Sequence, residues 1–192
     1  MIKTDLPIYL ASKSPRRRKL LKQLNISFKS FSVDIDESIH PHETPVRCVR
    51  RLANEKMNKA KNKVGNGIII TADTIVVLKG KVIGKPSNKD EAVSFLKKLS
   101  NNVHAVYTGF SILNTGKKFH ITDYEKTLVQ FRKLSVDEIE DYVNGGSPMD
   151  KAGAYGIQDD FGAVFIKRIN GCYYNVVGLP LTKLYLALKR VV

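Results

Sequence analysis

The segment Ile68-Ile69-Ile70-Thr71-Ala72-Asp73-Thr74-Ile75-Val76-Val77-Leu78 is the most hydrophobic run in the chain, and a single carboxylate breaks it near its centre. Gly65-Asn66-Gly67 precedes it and a Lys79-Gly80 turn follows. A short apolar run bounded by turn residues predicts a buried central strand. Asp73 is the costly residue in it. A buried unpaired charge is expensive, so the fold must supply a metal, a cation or hydrogen bonds at that point. The alternative is a strand-end aspartate that only holds a neighbouring loop.

Other elements follow from periodicity and caps. Ile8-Tyr9-Leu10-Ala11 reads as a short strand, Ser14 as an N-cap and Pro15 as the first residue of a helix with Leu20, Leu21 and Leu24 on one face. Arg16 and Arg17 fall in the first turn of that helix, where partial positive charge already accumulates. They gain there only if an anion joins them; the other reading is a solvated basic patch. Phe28 to Val33 reads as a strand, and Asp34-Ile35-Asp36-Glu37 as an acidic loop. Thr44 and Pro45 open a second helix through about Lys61. Its buried stripe is Val46, Val49, Leu52, Ala53, Met57 and Ala60, which leaves Arg47, Arg50, Arg51, Lys56 and Lys59 near its edges, most of them as surface charge. Cys48 reads as a small buried side chain.

Further along, Lys81 to Pro86 leads to a third helix capped by Ser87 or Asn88, with Ala92, Val93, Leu96 and Leu99 inward. His104 to Leu113 is a strand, Asn114 to Lys117 a hairpin turn, and Phe119 to Leu134 one or two returning strands. Ser135 to Glu138 forms a capping box that opens a fourth helix, and Gly145-Gly146 ends it. Pro148 to Gln158 has two close glycines, a charged pair and no helical or strand period, as a functional loop would. Two strands are expected around Asn170-Gly171, and a final helix over Leu179 to Val192. With no repeat or linker, residues 1–192 read as a single α/β domain.

The 192 residues are 43% hydrophobic and 26% charged, with only 7 Pro and 13 Gly, which excludes collagen-like, disordered and coiled-coil classes. The 32 Lys and Arg against 18 Asp and Glu leave a net charge of +14, a field that favours phosphate-bearing partners. Two cysteines, outside any CxxC, do not make a disulfide scaffold and fit a reducing cytoplasm. No stretch approaches the length of a membrane span, and Met1 to Pro7 lacks a signal peptide's apolar core, so a soluble cytoplasmic protein with no membrane partner is expected. His40, His42, His104 and His120 match no metal-ligand spacing and are assigned surface or structural roles.

Five motifs occur together: Leu10-Ala11-Ser12-Lys13-Ser14-Pro15-Arg16-Arg17, Ala72-Asp73-Thr74, Gly84-Lys85-Pro86, Asp150-Lys151-Ala152-Gly153-Ala154-Tyr155-Gly156-Ile157-Gln158, and Asn175-Val176-Val177-Gly178-Leu179-Pro180-Leu181. In this order and spacing the sequence resembles the Maf family of nucleoside triphosphate pyrophosphatases over essentially its full length. The resemblance implies a mixed, elongated sheet flanked by helices, with two lobes and a cleft, related to the inosine triphosphatases. It also implies hydrolysis of the α–β phosphoanhydride of a nucleoside triphosphate, with a divalent metal, magnesium or manganese, as cofactor. The form of the 150–158 loop resembles the dTTP/UTP branch.

Carried over position by position, the resemblance makes Asp73 the general base and gives Arg16, Thr74 and Gln158 to substrate specificity. Ser12, Glu37, Lys56, Lys85, Asp150 and Lys151 match other polar positions of the family's cleft. The chemistry agrees: Arg16, Lys56, Lys85 and Lys151 can meet a triphosphate, Gln158 can donate to and accept from a pyrimidine edge, and Glu37, Asp73 and Asp150 are oxygen ligands for a metal. A carboxylate of ordinary pKa, about 3.9, is a weak base at neutral pH, whereas as a metal ligand it lowers the pKa of an attacking water; both roles for Asp73 stay open.

Four residues depart from the family pattern: Thr71 and Ser147, where Gly and Glu are common, and Asp159-Asp160 after Gln158, where Gly is usual. Two acids beside a base-reading Gln leave the substrate less settled than the reaction, so a modified purine nucleotide is an alternative. A basic nucleic-acid-binding protein is another, but the absence of Trp and of interleaved exposed aromatics weighs against specific nucleic-acid binding. A division regulator without catalysis is the third. A homodimer is the open alternative to a monomer.

Overall fold

Residues 2–158 and 161–192 are described by a computed structural model. In chain order the elements are β1 (Ile8–Ala11), α1 (Pro15–Lys22), β2 (Lys29–Phe31), α2 (Pro45–Ala60), β3 (Ile68–Leu78), β4 (Lys81–Ile83), α3 (Lys89–Leu99), β5 (Val103–Asn114), β6 (Phe119–Phe131), α4 (Val136–Asn144), β7 (Ile166–Asn170), α5 (Tyr173–Val177) and α6 (Leu181–Val191). The described strands form a mixed sheet in the order β2-β1-β3-β5-β6-β7, with β4 also paired to β3, and helices flank it. The buried run is β3, a central strand as its composition requires. Two compact units share the chain: one holds Met1–Asp73, Thr108–Glu125 and Gly178–Val192, the other Thr74–Tyr107 and Lys126–Val177. Neither is a continuous stretch of sequence.

In the first unit β1 pairs in parallel with β2 (Tyr9 with Lys29) and with β3 (Tyr9 with Ile69). Ser14 caps α1 through the backbone N–H of Arg17, and Thr44 caps α2 through that of Arg47, with Pro15 and Pro45 at the first helical positions. The inward stripe of α2, Cys48, Val49, Leu52, Ala53, Met57 and Ala60, is fully buried, and Met57 and Ala60 pack with Ala11, Val33, Val64 and Ile69. Helix and strand meet closely enough that only glycine fits at position 109, where an added Cβ would lie 2.2 Å from the Val49 carbonyl oxygen. Thr71, which departs from the family pattern, donates its hydroxyl to the Ala53 carbonyl at 2.8 Å and so ties β3 to α2.

In the second unit α3 and α4 pack together over a core that includes Val76, Leu96, Leu99, Val106, Phe131, Ile139, Tyr142 and Phe165. Asn88 caps α3, and the capping box of α4 is complete: Ser135 and Glu138 bond each other's backbone N–H. Strand β4 turns back antiparallel on β3, and β7 runs antiparallel to β6.

Several boundaries differ from the sequence reading. The strand expected over Phe28 to Val33 shortens to Lys29–Phe31, and the last helix starts at Leu181 rather than Leu179. The second strand expected after Gly171 is instead α5, although Tyr173-Tyr174-Asn175-Val176-Val177 has strand-like composition. Tertiary hydrogen bonds override that propensity. Buried Asn175 donates to the Val106 carbonyl and to the Thr127 hydroxyl, each at 3.0 Å, while the Thr127 hydroxyl donates to the Cys172 carbonyl at 2.9 Å.

His104 lies inside the second unit, 2% exposed, with Nε2 2.7 Å from the Tyr155 hydroxyl and its ring edge-on to Phe131. Its Nδ1 has no hydrogen-bond partner, and burial drives its pKa down to about 4. An unfolded histidine titrates near 6.5, so below that pH the unfolded chain takes up a proton that the folded one refuses, and stability falls as pH drops toward 4. Urea unfolding is expected to show about 2 kcal/mol less stability at pH 5 than at pH 7 from this residue, and His104→Gln is expected to flatten that slope. Glu138, held down to about 2 chiefly by Arg132, loses its contribution only at lower pH and does not obscure the window.

Candidate active site

Of the metal, cation or hydrogen bonds that a buried Asp73 requires, the fold supplies a cation, Lys56. Both side chains are buried, and the Lys56 ammonium donates to Asp73 Oδ1 and, at 2.7 Å, to Glu37 Oε1. One ammonium therefore joins two of the three carboxylates singled out in the sequence. Asp73 reaches this point because the residues before it along β3, Ile68 to Ala72, are buried, and Lys56 because it sits one residue before Met57 on the inward side of α2.

The loop that carries Glu37 has no regular structure, and the cations of α2 and the turn after it hold it in place. Lys63 donates to the Ser32 carbonyl at 3.1 Å, Lys59 to the Asp34 carbonyl at 2.6 Å, and Arg51 to the Ser38 carbonyl at 2.9 Å. Lys13 pairs with the Asp34 carboxylate at 2.7 Å. The basic edge of α2, read in sequence as mostly surface charge, thus clasps an acidic strap: Arg51, Lys56, Lys59 and Lys63, three to five residues apart along the helix and the turn after it, meet Ser38, Glu37, Asp34 and Ser32 in turn.

The same unit contains the start of α1. Ser12 is buried, and its hydroxyl accepts the Ser14 backbone N–H at 3.2 Å, which shapes the turn before the helix. Arg16 is partly exposed there. Arg17, for which the sequence left a solvated patch open, is instead drawn inward. Its Nε donates to the Gly178 carbonyl at 2.8 Å, and it feels the negative charge of Asp73 and Glu37. Burial lowers its pKa against that pull, yet an arginine so placed keeps its charge. Position-by-position reasoning missed Arg17; the doubled arginine beside a Ser-Pro helix start was the signal.

In the second unit, Thr74 follows Asp73 along β3 and is partly exposed. Lys85 is exposed in the turn after β4, and Asp150 pairs with Lys151 at 3.1 Å. Gly153 adopts φ of +75°, donates its N–H to the Gly84 carbonyl at 2.9 Å, and packs where a Cβ would lie 3.1 Å from Val76. These constraints fix the loop on which Lys151 and Gln158 stand, and Tyr155, buried against His104 and Phe131, anchors it. Asp159 and Asp160 lie outside the described residues.

No three His, Cys, Asp or Glu side chains gather into a metal cage among the described residues. The donor set nevertheless fits magnesium or manganese. Glu37 and Asp73 already direct oxygens at one cationic atom, and magnesium is commonly held by one or two carboxylates, with water and substrate phosphate completing the shell. Among the described residues no helix is long and apolar enough to cross a membrane.

Residues 7–191 match the family model described as Maf-like protein. The chain is 45% identical over 181 residues to the dTTP/UTP pyrophosphatase of Syntrophomonas wolfei, covering 94% of this chain and 95% of that one. It is 44% identical to the enzyme of the same name from Caldanaerobacter subterraneus, over 96% of this chain and 89% of that one. With the enzyme of that name from Thermosipho melanesiensis it shares 48% identity, over 94% of this chain and 95% of the other. With a full-length match of this kind, and with its aspartate, arginine and lysine motifs in the expected order, the chain belongs to the Maf family.

Proposed function

We propose that this protein is a cytoplasmic nucleoside triphosphate pyrophosphatase that hydrolyses dTTP or UTP to the monophosphate and pyrophosphate. The observation that carries the reading is the buried Asp73–Lys56 pair, joined by the exposed Glu37, beside the arginine-bearing start of α1. The names of the relatives support the substrate class. In this reading Asp73 accepts a proton from water as the water oxygen bonds to the α-phosphorus. The bond from that phosphorus to the α–β bridging oxygen breaks, and pyrophosphate leaves. Arg16, Arg17 and Lys56 supply positive charge toward phosphate. Glu37 and Asp73 would hold the divalent ion, with Asp150 a further carboxylate available; the ion supplies charge neutralisation and a more acidic water. Lys85 and Lys151 add phosphate contacts, Ser12 shapes the helix start, and Thr74 and Gln158 read the base.

A panel of canonical and modified nucleoside triphosphates with magnesium or manganese, read for pyrophosphate against orthophosphate, tests this directly. Pyrophosphate from dTTP and UTP, lost on chelation with EDTA, is the expected result. Orthophosphate as first product contradicts α–β cleavage, and preference for inosine or methylguanosine triphosphate overturns the pyrimidine assignment.

A further inference from the structure

The Glu37 strap is held at its far end by one side chain that no motif of the family match singles out. Arg51, half-buried on α2, makes a two-pronged contact with Glu43, with Nε to Oε1 and Nη2 to Oε2 both at 2.8 Å. Its Nη2 also reaches the Ser38 carbonyl at 2.9 Å, and Nη1 reaches Glu55 at 3.2 Å. The Glu43 side chain is only 9% exposed. Glu43 in turn lies 3.4 Å from the His40 backbone N–H, and the Glu43 N–H bonds the His40 carbonyl, so the segment from Ser38 to Glu43 is closed on itself and fastened to the helix. Ser38 follows Glu37 directly. Fixing the Ser38 carbonyl therefore fixes where the Glu37 carboxylate meets Lys56, and Lys56 sets the environment of Asp73.

We propose that Arg51 is a positioning residue for catalysis: it holds the Ser38–Glu43 segment so that Glu37 stays on Lys56 and Asp73. The inference rests on the proposed hydrolysis. A guanidinium suits the task because its planar fork can grip a carboxylate with two parallel bonds while a remaining N–H takes a carbonyl; a lysine ammonium keeps the charge and loses that geometry. Glu43 and Glu55 keep Arg51 charged, the hydrogen bonds it donates to Glu43 raising its pKa most. An outer partner of this kind typically carries a 10–100-fold effect on activity without touching the substrate.

The test is a double-mutant cycle on kcat for dTTP hydrolysis, with KM and thermal melting measured on each protein. Arg51→Ala is expected to lower kcat roughly 10–100-fold with KM changed far less. In a Glu37→Gln background the same substitution is expected to cost less than about threefold, because the group it positions is already disabled. Arg51→Lys is expected to recover melting temperature more fully than turnover. Should Arg51→Ala not fold, Glu43→Gln, which weakens the grip and leaves the arginine, enters the same cycle. Equal losses in both backgrounds, or a folded Arg51→Ala enzyme within about threefold of wild type, overturn the positioning role. Wild-type protein that releases no pyrophosphate from any nucleoside triphosphate overturns the hydrolysis itself, and this role with it.

Discussion

Asp73→Asn is expected to release pyrophosphate at least about 10²-fold more slowly than the wild type, and up to about 10⁴-fold, while remaining folded. Asparagine matches aspartate in size but cannot take the proton of an attacking water, and it is a poorer metal ligand. The fold is expected to survive because Lys56, which loses one anionic partner, keeps Glu37 at 2.7 Å. A buried ammonium left with no partner would destabilise far more. The cost is expected to be about 1–3 kcal/mol, a lowering of melting temperature below about 10 °C for a chain of this length. Pyrophosphate release and thermal melting on the same preparation check both halves. A folded variant with most of the wild-type turnover removes Asp73 from the mechanism.

Gly109→Ala is the second large effect, and its origin is steric. The new Cβ would stand 2.2 Å from the Val49 oxygen, 2.4 Å from the Val49 carbonyl carbon and 3.0 Å from the Arg50 nitrogen. All three are backbone atoms of α2, so no side-chain rotation relieves the contact and the helix itself must shift. Destabilisation of about 3 kcal/mol or more is expected in urea unfolding. Because α2 carries Arg51, Lys56 and Lys59, a displaced helix is also expected to lower turnover in the protein that still folds. Gly65→Ala serves as the control: nothing lies within 4 Å of the added atom, and a change within about 0.5 kcal/mol is expected. Equal stability of the two variants would mean that α2 yields at no cost.

The charge excess looks different once partners are assigned. Lys13, Lys59 and Lys63 bind the strap before Glu37, Arg51 and Lys56 bind its end, Arg132 pairs with Glu138, and Lys183 donates to the Tyr124 carbonyl. Many of these acceptors are backbone carbonyls, which carry no formal charge. Part of the +14 excess is thus engaged without a carboxylate opposite it, which a count of opposite charges in the sequence could not reveal.

Local chemistry was legible in the sequence because its causes are local. Ser14, Thr44, Asn88 and Ser135 cap the helices they precede, and the apolar run of β3 is buried as its composition demands. The need for a metal, a cation or hydrogen bonds at Asp73 followed from the cost of burying charge and from nothing else. Which cation answered it did not follow, since Lys56 lies seventeen positions away on a helix where Arg47, Arg50, Lys59 and others were equally basic. The inward turn of Arg17 onto the Gly178 carbonyl, across 161 residues of sequence, was equally out of reach, as was the helix at Tyr173–Val177, imposed by Asn175 and Thr127. Spacing along the chain specifies what a residue can be. Which distant partner it meets is decided by packing of the sheet and helices, because hydrogen bonds and ion pairs act over a few ångströms and the chain brings those atoms together only when folded.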